Sequence, residues 1–138
     1  MTPTVLNLIA LATKPDAIQW DAHQQLGRNG ASIHVLFECK QSDQRIALIR
    51  CEPGARAQSH HHVGHETFLI LDGNFTDENG KYTKGDLVIY PPGSTHAWHS
   101  SQGALIYAIW GGRVTSPPEP TQVLANFDNG VYSGQHLV

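Results

Sequence analysis

The stretch GARAQSHHHVGHETFLILDG, residues 54–73, decides the fold. His60 and His62 stand two apart, and on a strand such side chains point to one face. Both imidazoles can therefore aim at a shared point. Val63-Gly64 makes a turn that reverses the chain. Glu66 then opens the next antiparallel strand, where its carboxylate can meet the two imidazoles. Gly73 permits the turn that ends this strand. A second stretch, GDLVIYPPGSTHAWHS, covers residues 85–100. Its rigid Pro91-Pro92-Gly93 turn leads into a strand bearing His96 and could deliver a third imidazole. Three nitrogens and one carboxylate oxygen suit zinc, iron(II), manganese, nickel or cobalt. Magnesium and calcium prefer all-oxygen sites and fit less well. The expected ligands are His60, His62, Glu66 and His96, holding one divalent ion. They come from distant parts of the sequence, so binding would couple metal to stability.

From Ala31 onward the text is mostly β. Ser32–Lys40 and Gln44–Glu52 read as strands joined by the polar turn Gln41–Asp43. Pro53 and Gly54 break the second strand. Thr67–Leu71 is a short apolar run ending at Asp72-Gly73. Asn79-Gly80 is a hairpin turn between Phe75–Thr76 and a strand near Leu87–Tyr90. Ala104–Trp110 is a further strand, closed by Gly111-Gly112. Short strands with regular turn signals indicate an all-β sandwich or barrel. Ahead of them, Thr2 can cap a short helix with Pro3 at its first position. A strand over Thr4–Ala12 is the rival reading. Ile18–Trp20 reads as a short edge strand. Ser116–Pro120 is a proline-rich loop leading to a C-terminal arm, Thr121–Val138.

The chain has 138 residues, 40% hydrophobic and 15% charged, which suits one globular domain over 1–138. The expected barrel covers about 31–112, with an N-terminal arm over 1–30 and a C-terminal arm over 113–138. Net charge is -3 and there is no basic run. Nucleic-acid binding and a membrane-surface patch therefore have little support. Val5–Ala12 is too short for a membrane span, and no basic region precedes it. Cys39 and Cys51 would not face each other across their strands, so both read as reduced thiols. These features together predict a cytoplasmic protein.

Strand parity sorts the remaining histidines. His61, His65 and His99 point away from the metal position, and His61 reads as a solvated or interface residue. His23, His34 and His136 have no partner in sequence. Phe68 and Ile70 share the face of Glu66, and Trp98 and Ser100 share that of His96. These four are candidate pocket walls. Thr67, Leu69 and Leu71 make the opposite face of the same strand apolar or neutral too. A strand apolar on both faces needs cover on both, which a homodimer would give.

The two stretches resemble the two motifs of the cupin superfamily. The first fits G-x5-H-x-H-x3-E-x6-G from Gly54 to Gly73, and the second fits G-x5-P-x-G-x2-H from Gly85 to His96. The resemblance implies a small antiparallel jelly-roll barrel of the RmlC-like kind, with His60, His62, Glu66 and His96 as metal ligands. Ala12–Ala17 ahead of Trp20, Gly73–Gly80 and Pro91–His96 look, more narrowly, like the ChrR-like cupins. That group includes the zinc-binding C-terminal domain of an anti-sigma factor. It also includes stand-alone proteins resembling dioxygenases of small oxygenated compounds. Ser100 departs from the usual Asn, Trp98 from a frequent Pro and Thr67 from a frequent acidic residue. These departures bear on the substrate, not on the metal. Two function classes follow. One is an enzyme, a metal-dependent dioxygenase (an oxidoreductase) acting on a small-molecule substrate, with zinc or iron(II) bound and Glu66 a possible base. The alternative is a non-catalytic metal-binding sensor or small-ligand-binding module. A sugar isomerase or epimerase is a weaker third reading, since only the metal motifs support it.

Overall fold

Alternation of inward apolar and outward polar side chains builds the barrel strand by strand. In a computed structural model, which describes residues 1–117, the strands are, in chain order, β1 Asp21–Ala22, β2 Asn29–Cys39, β3 Gln44–His62, β4 Glu66–Asp77, β5 Gly80–Thr83, β6 Leu87–Tyr90, β7 Thr95–Ser100, β8 Ala104–Trp110 and β9 Val114–Thr115. Their pairings are antiparallel. β3 bonds to β8, β8 to β4, β4 to β7, and β7 back to β3. That closed circuit is a jelly-roll-like barrel, with β1, β2, β5, β6 and β9 laid along its outside edges.

The core fills the barrel by alternating large and small side chains, as a small barrel requires. Across β4, β8 and β3 the register sets Phe68 beside Ala108 and Ala108 beside Ala47. The next layer sets Ile70 beside Ile106 and Ile106 beside Ile49. All six are buried. Each large one contributes about 1.5–3 kcal/mol of hydrophobic stabilisation.

Two expected strand ends are corners instead. Pro53 and Gly54 do not break the second strand, because β3 runs unbroken from Gln44 to His62. It pairs with β8 up to Cys51 and with β7 from Ala55 onward. Proline lacks the N–H that a ladder would use, so it costs little where the partner changes. Gly54 takes the bend at φ 86°. Gly73 likewise does not end its strand. β4 pairs with β8 up to Gly73 and reaches β7 at Thr76. Gly73 has φ 79°, and a Cβ there would run into the Gly103 carbonyl. The Asn79-Gly80 turn is present, but it joins β4 to β5 before the chain reaches β6.

The N-terminal helix, α1, is Leu8–Ala12, capped by Asn7 rather than Thr2. The Asn7 side chain accepts a hydrogen bond from the Ala10 N–H at 2.9 Å. Asn is among the best N-caps, and the apolar run begins directly after it. The expected edge strand at Ile18–Trp20 is displaced to Asp21–Ala22, which pairs with Ile33 and Ser32. Trp20 is engaged elsewhere, its indole N–H donating to the Pro15 carbonyl at 2.8 Å. The β2–β3 register sets Cys39 against Gln44 and Cys51 against Ala31, at opposite ends of the ladder. Both thiols are free. Among the described residues no helix is long and apolar enough to cross a membrane. The arm Thr121–Val138 and the end of the loop before it lie outside the described residues.

Candidate metal centre

The end of β3 carries the first two imidazoles inward, and a bulge makes that possible. Ala55 and Ala57 are buried on the inner face. Simple alternation would then send Ser59 and His61 inward. The β3–β7 register shifts between Ala57 and His60, which adds one residue and exchanges the faces. His60 and His62 thus enter the barrel. β7 brings His96 directly opposite His60. β4 brings Glu66 between Tyr90 of β6 and Trp110 of β8.

The structure gathers His60, His62, Glu66 and His96 into one cluster. One donor atom from each lies within 4.8 Å of all the others. Each of the four is 1% exposed. Imidazole centroids are 4.6 Å apart for His60 and His96, 4.7 Å for His62 and His96, and 5.2 Å for His60 and His62. His62 Nε2 lies 3.1 Å from Glu66 Oε2, and His96 Nε2 lies 3.4 Å from Glu66 Oε1. These are ion-pair distances without hydrogen-bond geometry. His62 Nε2, His96 Nε2 and Glu66 Oε1 are left buried with no hydrogen-bond partner. Orphaned lone pairs converging on one point are what a divalent cation satisfies.

Residues behind the imidazoles hold them in the ligating form. His60 Nδ1 lies 2.8 Å from the Gln58 carbonyl and His96 Nδ1 lies 3.2 Å from Asp77 Oδ2. A carbonyl and a carboxylate only accept, so Nδ1 carries the hydrogen and Nε2 keeps its lone pair. His62 Nδ1 meets Ser94 Oγ at 2.9 Å. Asp77 is held in turn by the Tyr90 hydroxyl at 2.6 Å and the Tyr82 hydroxyl at 3.0 Å. The Trp110 indole N–H donates to Glu66 Oε2 and fixes the carboxylate. Partners of this kind orient metal-binding histidines and raise their basicity.

The electrostatics agree with that arrangement at His60, whereas at Glu66 and His96 they favour a charged pair with which a metal competes. Burial lowers the His60 pKa to about 4, so the ring is neutral at pH 7. Burial alone would raise the Glu66 carboxyl. The imidazoles of His62 and His96 outweigh it and hold Glu66 well below the usual carboxylate range. For His96, burial lowers the pKa, but Glu66 and Asp77 outweigh it and the net shift is upward.

A narrow cavity adjoins the cluster, lined among others by His23, Arg28, His60, Glu66, Phe68 and Trp98. It has room for little more than a water-sized molecule. Of the four expected wall residues, Phe68 and Trp98 face it. Ile70 packs in the core layer with Ile106, and Ser100 donates to the Asn74 carbonyl at 2.6 Å. Neither lines the cavity. His65 and His99 are exposed and face outward. His61 also lies off the site but is only 8% exposed, so it is not a solvated residue. It sits between Thr95 of β7 and Thr115 of β9, which cover it.

Sequence reading missed His23, Arg28, Asp77, Tyr90 and Trp110. Trp110 had a signal, since it shares the inward parity of Ala104–Trp110. Asp77 would have needed the irregularity between Ile70 and Asp72 to be recognised, because it resets the parity of β4. His23 and Arg28 had none.

The ChrR Cupin-like domain family matches residues 10–114. No curated protein matches the sequence. Among solved structures, the chain is similar to an acetylacetone dioxygenase from Acinetobacter johnsonii, with 14% identity, a TM-score of 0.63 and 69% of each chain covered. A putative acetylacetone dioxygenase from Methylibium petroleiphilum PM1 gives 14% identity and a TM-score of 0.70, covering 88% of this chain and 84% of that one. The Rhodobacter sphaeroides complex of SigE with the anti-sigma ChrR gives 23% identity and a TM-score of 0.57, covering 67% of this chain and 48% of that one. At these identities the likeness is one of fold.

Proposed function

The chain belongs to the ChrR cupin-like family, and from that premise we propose that it is a metal-dependent dioxygenase acting on a small oxygenated compound. His60, His62, Glu66 and His96 hold one iron(II) or zinc ion in this reading. The observation that carries it is the set of buried, unpartnered donor atoms on His62, His96 and Glu66. The Nδ1 atoms of the three imidazoles are turned away, each close to a hydrogen-bonding partner. Iron(II) supplies dioxygen chemistry when bound, whereas zinc supplies Lewis-acid or hydroxide chemistry. The chain's own residues position and shield. Asp77 holds His96, Trp110 holds Glu66, and Phe68 and Trp98 form an apolar wall that excludes water. Glu66 serves as a ligand rather than a base in this reading, because the Trp110 indole fixes its Oε2 and its Oε1 converges with the unpartnered imidazole nitrogens.

The barrel's likeness to an acetylacetone dioxygenase makes a β-diketone the first probe. A non-catalytic metal-binding module is the second reading, favoured by the small size of the cavity beside the cluster. Cobalt(II)-loaded protein titrated with acetylacetone separates the two. Coordination by the diketone should change the visible spectrum. An unchanged spectrum at millimolar ligand overturns the enzyme reading in favour of the module. A wild type that takes up no divalent metal overturns both. The reading extends to assembly as a homodimer through the outer face of β4 and β6. Leu87 and Ile89 of β6 are 59% and 64% exposed there. They pair in register with Leu69 and Thr67 of β4.

A further inference from the structure

We infer that Arg28 and His23 form an anion-recognition subsite beside the metal position, taking an oxygen of a small carboxylate or enolate. The inference rests on the metal-site reading above and names the class of ligand that would share the site. Arg28 is 7% exposed and His23 is 3% exposed, and both line the cavity that His60 and Glu66 line. Neither is needed by the barrel circuit, since both lie ahead of the strands that close it. His23 Nε2 is buried with no hydrogen-bond partner. It is the one orphaned atom of the described residues that belongs to none of the four clustered side chains.

Arg28 is a buried charge with no direct ion pair among the described residues, although the Glu66 carboxylate acts on it across the cavity. Its Nη1 donates to the Gln25 carbonyl at 2.8 Å, and no described ion pair includes it. Burying a guanidinium this way is costly unless a further partner completes it. The chain also strains to deliver it. Leu26, two residues earlier, has φ 60° and ψ 39°, in the left-handed region that a leucine avoids. Strain that aims a buried charge into a cavity points to use of that charge.

Charge balance selects an anion. A divalent ion, Arg28 and Arg45, whose guanidinium acts on both Arg28 and His23, outweigh the Glu66 and Asp77 carboxylates. A small anion on the metal would offset part of that excess. A guanidinium offers donors only, in a planar fork suited to an oxyanion. His23 is kept neutral by burial and by Arg28, with its pKa lowered to about 3. Its Nε2 can therefore add a second contact without adding charge. The narrow cavity limits the anionic end of the ligand to a small group.

The test uses formate on cobalt(II)-loaded protein, read by the visible spectrum, with cobalt content measured separately. Wild type should bind formate. Arg28→Met should weaken it at least about tenfold, as loss of one partner of a buried charged contact does. Arg28→Lys should recover most of that loss, and cobalt stoichiometry should stay unchanged in both. His23→Phe, which keeps the ring and removes the polar atoms, should weaken formate by roughly threefold or more; it serves where the Arg28 variants fail to fold. Full cobalt loading with no formate response in wild type overturns the subsite and leaves the metal reading standing. So does formate affinity that ignores both positions. No cobalt uptake overturns the metal reading, and the subsite with it.

Discussion

Replacing Asp77 by Asn tests whether the residues behind the imidazoles set metal affinity. The Asp77 carboxylate is surrounded by donors. Oδ1 accepts from the Tyr82 hydroxyl and the Asn79 N–H, at 3.0 and 2.8 Å. Oδ2 accepts from the Tyr90 hydroxyl at 2.6 Å and faces His96 Nδ1 at 3.2 Å. An amide keeps the shape but turns one oxygen into a donor, which then meets other donors. Placed toward Oδ1, it faces the Asn79 N–H, which cannot accept. Placed toward Oδ2, it drives His96 to the tautomer with hydrogen on Nε2, which cannot bind metal through that atom. Losing such a partner typically costs about 10–100-fold in metal affinity, or about 1.4–2.7 kcal/mol. The pH dependence adds a second signature. Glu66 and Asp77 together raise His96 against the lowering by burial, so a proton competes with metal below that raised pKa. Wild-type affinity should therefore climb with pH. Asp77→Asn weakens the competition, so its deficit should be larger near about pH 8 than near about pH 6. Zinc affinity from competition with a chromogenic chelator at both pH values reads the effect, with circular dichroism as the check on folding. A folded variant within about twofold of wild type at both pH values would refute the positioning role.

Two further outcomes are expected. Metal-free protein should lose stability on acidification from about pH 6.5 toward about pH 4, because His23 and His60 stay neutral when folded, with pKa values lowered to about 3 and about 4. The unfolded chain takes up those two protons first, and each site adds up to about 1.4 kcal/mol per pH unit. His96 acts in the opposite sense. Its raised pKa contributes stability below its unfolded value that is lost as pH rises through the folded one. Urea midpoints at several pH values test this, and a flat profile below pH 6.5 would count against the buried neutral pair. On assembly, wild type should sediment as a dimer at micromolar concentration, and Leu87→Lys with Ile89→Lys should sediment as a monomer. A monomeric wild type overturns the homodimer.

What the sequence made legible was local. His60 and His62 share a face because they are two apart, and the Val63-Gly64 turn returns Glu66 to them within a few residues. Three of the four clustered residues thus follow from neighbours in the chain, and Pro91-Pro92-Gly93 sets up the fourth. Illegible features depend on which strand lies alongside. Pro53, Gly54 and Gly73 look like strand ends, yet each marks a place where a continuing strand exchanges β8 for β7. Asp77 reaches His96 only because β4 continues past such a corner.

The same division separates the part of the site that holds a metal from the part that would choose its ligand. His60, His62, Glu66 and His96 lie on β3, β4 and β7, whose registers are fixed by the closed barrel circuit. Moving any of them means moving the barrel. His23 and Arg28 lie instead on the segment from β1 to the start of β2, and β1 is tied to the sheet by two residue pairs. Arg28 is delivered by a left-handed turn at Leu26, and no residue pattern announces such a turn in a leucine. A metal cluster can therefore be read from spacing, because the barrel imposes the spacing. Ligand choice, if the proposed subsite is used, would rest on Phe68 and Trp98 of the barrel together with His23 and Arg28 between Asp21 and Gly30.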